Sequence, residues 1–69
     1  MKMCFYLVTG GMHQTIDHRW RVIAHSWYWE IWQQDEHDDN LYHLIPGKWR
    51  SCTKAKEHIL NTYYGGKWA

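Results

Sequence analysis

From His18 to Gln34 the chain runs without a glycine, proline, asparagine or aspartate, and its apolar residues change sides midway. Read as a strand, Trp20, Val22 and Ala24 point one way, and Arg19, Arg21 and His25 the other. Beyond Ser26 the set Trp27, Trp29 and Ile31 alternates with Tyr28, Glu30 and Trp32, so the apolar phase slips. A strand repeats every two residues, and such a slip requires a bulge or tight turn near His25-Ser26. A helix competes, because Ile16, Trp20, Ile23, Ala24, Trp27 and Ile31 recur at three- and four-residue steps behind Thr15 as an N-cap. Strand is preferred, since the segment is dense in Trp, Tyr, Val and Ile, the residues that fit a pleated surface. Trp29 and Trp32 then lie on opposite faces.

The flanking segments complete a simple plan. Residues 3–8 form an apolar run closed by Gly10-Gly11, the pattern of a buried strand before a turn. Met12 to Asp17 read as a polar loop. Asp35 to Asn40 form a polar hairpin turn after residues 27–34, and Leu41 to Ile45 follow as a short strand that Pro46-Gly47 ends. Ser51 or Thr53 caps a closing helix over Cys52 to Tyr64, with Gly65-Gly66 as its stop. Its apolar stripe is Cys52, Ala55, Ile59 and Tyr63. The tail after Gly66 docks through Trp68 or frays. The expected fold is α+β: an antiparallel sheet of three to four strands with one C-terminal helix on one face, in a single domain spanning 1–69.

Size and charge exclude several functions. A chain of 69 residues buries only about 60% of its unfolded surface and has a narrow stability margin. Eight Lys and Arg against seven Asp and Glu rule out both a polybasic nucleic-acid arm and an acidic mimic of DNA. Two cysteines, Cys4 and Cys52, do not make the framework of a secreted scaffold. The N-terminal apolar run is short and lacks a small-residue cleavage site, and no run approaches the ~18 apolar residues of a membrane span. The expected setting is cytoplasmic, with both thiols reduced.

No catalytic or metal-binding pattern emerges. Six histidines occur without Cys-x-x-Cys, His-Glu-x-x-His or a helical His pair, so no metal or cofactor is expected. The acidic turn lacks the glycine and glutamate of a calcium loop: Asn40 holds the sixth position, and Pro46 and Gly47 stand where the glutamate belongs. His25 and Ser26 are chain neighbours that point apart on a strand, which defeats a dyad. So small a domain also has little room for a cleft of ~300 Å³. No enzyme is expected.

Twelve aromatics exceed what one helix can cover on a sheet with two faces, and exposed aromatic area commonly marks a partner surface. The function expected is therefore a small non-enzymatic interaction protein that binds a protein or nucleoprotein partner. Its size and Trp/His-rich composition fit an inhibitor of host defence machinery carried by a phage or mobile element. The alternative is a nucleic-acid-binding module in which Lys and Arg interleave with Trp as a stacking platform. Candidate partner-binding residues are Trp27, Trp29, Trp32, Trp49, Arg19, Arg21, Lys48 and Arg50. A homodimer is compatible with either reading, and membrane binding is not expected. The acidic turn separates the two, since it repels phosphate but can pair with a basic protein patch.

Overall fold

A computed structural model of the chain describes residues 5–66. The preferred strand reading of residues 20–34 holds. Trp20–Ala24 (β3) and Trp29–Gln34 (β4) pair antiparallel, Val22 opposite Ile31 and Ala24 opposite Trp29. The phase slip is resolved by a tight turn in which the His25 N–H donates to the Tyr28 carbonyl at 2.7 Å. Trp27 and Tyr28 thus belong to the turn, and the strand starts two residues later than expected.

Three other boundaries need correction. Met12–Thr15 (β2) is a strand, not a loop, bridging Phe5–Thr9 (β1) and β3. Its polar sequence hides it, but Thr15 is buried for a reason. Its hydroxyl donates to Asp17 Oδ1 at 2.7 Å and accepts the Trp20 N–H at 3.0 Å, tying the next turn together. The last strand, β5, runs Tyr42–Trp49 straight through Pro46-Gly47. Two extra residues relative to β4 bulge out between Ile45 and Trp49. Proline is tolerated there because β5 is an edge strand and its missing N–H faces no neighbour. β1, expected to be buried, is mostly exposed.

The sheet is thus a five-stranded meander in the order β1-β2-β3-β4-β5 rather than one of three to four strands, with one C-terminal helix packed on it. That helix, Cys52–Tyr63 (α1), begins at Ser51, whose hydroxyl accepts the Lys54 N–H at 3.1 Å. At its end Gly65 and Gly66 take positive φ, and the Gly66 N–H returns to the Leu60 carbonyl at 3.0 Å. Ala55 and Ile59 are fully buried against Trp20, Val22 and Ile31, and Cys52, a free thiol, is half-buried beside them. Tyr63 ends the stripe at the rim, 42% exposed but with its ring 4.6 Å from that of Trp20. Cys4 and Trp68 lie outside the described residues. No described helix is long and apolar enough to cross a membrane.

Candidate functional site

Alternation divides the sheet into two unequal faces. On one, Trp20, Val22, Trp29, Ile31, Ile45 and Trp49 meet α1. On the other, cross-strand partners form one row over all five strands: Tyr6, Gln14, Arg21, Trp32 and Leu44. Met12, Ile23 and Glu30 form a second row on this side, and Gln34 with Tyr42 a third position. No described element covers this face. Tyr6 is 40% and Leu44 46% exposed.

Its centre is ordered by polar contacts. The Arg21 guanidinium lies 3.9 Å from the centroid of the Tyr42 ring, a cation–π contact that also flattens the side chain onto the sheet. The Tyr42 hydroxyl donates to the His18 carbonyl at 2.7 Å and accepts from Gln14 Nε2 at 3.1 Å. Gln14, 4% exposed, gives its second N–H to His18 Nδ1 at 3.0 Å. These bonds hold His18 in a left-handed conformation, φ 65°, which few non-glycine residues adopt. The Nε of Arg21 and the Nε1 of Trp32 are both buried and have no partner among the described residues. Unpaired buried donors are uncommon, and these two belong to directly opposed residues of the open face.

The eight candidate residues separate into groups. Arg21 and Trp32 share the open face. Trp29 and Trp49 sit under the helix: Trp49 packs 4.8 Å from His58, and its ring lies so close to Gly47 that a Cβ there would fall 2.7 Å from it. Trp27, 62% exposed, caps the β3–β4 turn with Tyr28, and Lys48 Nζ lies 5.3 and 4.9 Å from their rings. Arg50 is exposed in the link to the helix. Arg19 lies at the opposite end, 3.7 Å from Asp17 and beside Asp35, Glu36 and Asp39 in an open groove of about 460 Å³. The basic residues therefore do not form one patch. Tyr6, Gln14, Tyr42 and Leu44 were not singled out in the sequence. The alternation of Leu41 to Ile45 marks Tyr42 and Leu44, but Gln14 has no such signal while β2 reads as a loop.

The acidic turn is ordered around Asp35. The carboxylate accepts from His43 Nε2 at 2.7 Å and from the His37 and Asp38 N–H groups, and these bonds, His43 foremost, hold its pKa below the ordinary value. A second groove, about 420 Å³, runs between this turn and the open face, lined by Gln14, Asp17, His18, Arg21, Asp39 and Tyr42. Both grooves are larger than a domain this small was expected to hold. They are polar and open, and Asp39 of the turn lines both. No cluster of metal-ligating side chains occurs among the described residues. Comparison of the chain with protein-family models, curated proteins and solved structures finds no match.

Proposed function

We propose that this chain is a small non-enzymatic interaction protein that binds a protein or nucleoprotein partner through the uncovered face of its sheet. The observation that carries this is the row Tyr6, Gln14, Arg21, Trp32 and Leu44, left open while an equivalent aromatic face is closed by α1. Two buried donors without partners among the described residues, in Arg21 and Trp32, support it as signs that hydrogen bonding on this face is incomplete. Tyr, Trp and Arg are also the residues in which binding energy concentrates. A cytoplasmic setting, and the role of an inhibitor of host defence carried by a phage or mobile element, extend this reading on size and composition.

A nucleic-acid partner is the second reading, favoured by the stacked Arg21 and Tyr42 beside Trp32 on an open sheet. Glu30 on the same face, Asp17 and Asp39 at its border, and the separation of Arg19 from Lys48 and Arg50 weigh against it. Tagged protein in a host lysate, with and without nuclease, separates the two. The first reading expects a band that survives nuclease and weakens tenfold or more, about 1.4 kcal/mol, with Trp32→Ala. Loss of the band on nuclease treatment, together with a fall of about two orders of magnitude or more between 50 and 200 mM salt, would establish the second. Capture unchanged by Trp32→Ala and Arg21→Ala would remove the open face from either.

A further inference from the structure

The groove of about 420 Å³ between the acidic turn and the open face is lined by polar groups that the described residues leave without partners. Hydrogen bonding fixes which atoms these are. The one hydroxyl proton of Tyr42 goes to the His18 carbonyl, so Gln14 must face that oxygen with its amide nitrogen. The second N–H of Gln14 reaches His18 Nδ1, which therefore accepts, and the ring proton sits on Nε2. Gln14 is 4% exposed and lines the groove, and its Oε1 has no hydrogen-bond partner among the described residues. The Arg21 guanidinium is half-buried on Tyr42 and forms no ion pair with any described residue. Its Nε is sealed off, which leaves the Nη groups as the donors a ligand can meet. Asp17, which also lines the groove, is already held by the Thr15 hydroxyl, by the Arg19 N–H and by the Arg19 guanidinium at 3.7 Å. The Asp39 carboxylate has no such partner among the described residues.

We propose that this groove binds a small zwitterion, a free α-amino acid or a short peptide, with its carboxylate on Arg21 and the His18 Nε2–H and its ammonium on Asp39 and Gln14 Oε1. The charges carry the assignment. With Asp17 held by Arg19, one guanidinium and one carboxylate line the groove unpaired, and they do not reach each other. A lone anion would be opposed by Asp39 and a lone cation by Arg21, whereas a ligand carrying both charges is opposed by neither. A nucleotide fits less well, because its phosphate brings negative charge alone and Arg21 already lies on the Tyr42 ring that a base would stack on. The cavity falls within the range of small-ligand sites, about 300–1,000 Å³. The two ends differ in strength. Arg21 is half-buried and preorganised on Tyr42, so its charge-assisted bonds are the stronger. Asp39 is exposed, and solvent screens what it contributes.

NMR chemical shifts of the native chain, followed while alanine, dialanine and trialanine are each added to about 20 mM, test this without a macromolecular partner and so apart from the proposed function. At least one of the three should give saturating shifts at Gln14, His18, Arg21 and Asp39, with a Kd of about 1–10 mM for so open a site. The length that binds best tells a free amino acid from a peptide. Amidating the carboxylate of that probe should weaken binding about tenfold, and acetylating its amine about threefold. Arg21→Gln should no longer distinguish the amidated probe from the free one, and Asp39→Asn should no longer distinguish the acetylated one. Saturation by none of the three probes overturns the proposal. So does binding to the native chain that is indifferent to either block, a comparison that needs no variant to fold. An Asp39→Asn chain that still discriminates against the acetylated probe would move the ammonium off Asp39 and contradict the proposal too.

Discussion

Trp20 and Trp32 are both strand tryptophans whose indole N–H is cut off from solvent, and the sheet treats them oppositely. Trp20 lies under α1, 2% exposed, with its Nε1 donating to the Tyr64 hydroxyl at 3.0 Å and its ring 4.6 Å from that of Tyr63. Trp32 lies on the other face, half-buried, with no acceptor for its Nε1 among the described residues. A buried donor normally finds a partner when a protein is complete in itself. The covered face is complete in that sense, and the open face is not. The difference locates stability on one side of the sheet and places the proposed recognition role on the other.

The largest expected effects test the covered side. Trp20→Ala should cost about 3–5 kcal/mol and Ile59→Ala about 2–4. A domain of this length holds only about 3–10 kcal/mol in all, so the first variant should be largely unfolded at 25 °C by circular dichroism. Leu44→Ala on the open face should change stability by no more than about 0.5 kcal/mol. Comparable losses at Ile59 and Leu44 would mean that the faces are not divided as described.

Gly47→Ala sharpens the contrast at the rim of the covered side. Gly47 has φ 137°, and a Cβ would meet the Trp49 ring at 2.7 Å. Strain and displacement together should cost about 1–3 kcal/mol, measured by urea midpoint. Ser51→Ala removes the cap of α1 and should cost about 1 kcal/mol without touching the open face.

Acid should erode the covered side gently. Burial, reinforced by the Lys56 ammonium, pulls the pKa of His13 below its ordinary 6.5. The unfolded chain then binds the proton more readily, so this contribution is full above pH 6.5 and declines as pH falls below it. The lowered pKa of Asp35 acts in the same sense further down, with loss beginning near its ordinary 3.8. Urea midpoints at pH 7.5 and 5.5 should therefore show a small decline, which His13→Gln removes. A midpoint that rises on acidification would reverse the sign of this account.

The elements legible in the sequence are those whose signals are local. Ser51, the Ala55–Ile59 spacing and Gly65-Gly66 mark α1 by capping and period alone, and the phase slip at His25-Ser26 marks the β3–β4 turn. β2 was not legible, because Met12 to Thr15 carry no apolar pattern. Their place between β1 and β3 comes from backbone pairing, and the burial of Gln14 and Thr15 from bonds to residues met only in three dimensions. Residues 3–8 read as buried because apolar runs usually are, but within β1 only Phe5 packs against the core, with Lys56 of α1 5.1 Å over its ring, and the rest is exposed. The candidate site was half legible. That Trp29 and Trp32 oppose each other followed from alternation, whereas which of them the helix covers depended on where the helix returns.

Phenylalanine in place of each tryptophan asks most directly whether one face is complete and the other open. Trp20→Phe deletes a satisfied donor and leaves a void, and should cost about 1–3 kcal/mol by chemical denaturation. Trp32→Phe deletes a donor that has no partner, and should leave stability within about 0.5 kcal/mol of the native chain or raise it. A loss at Trp32→Phe equal to that at Trp20→Phe would show that the indole of Trp32 is satisfied within the folded chain, and would contradict the account.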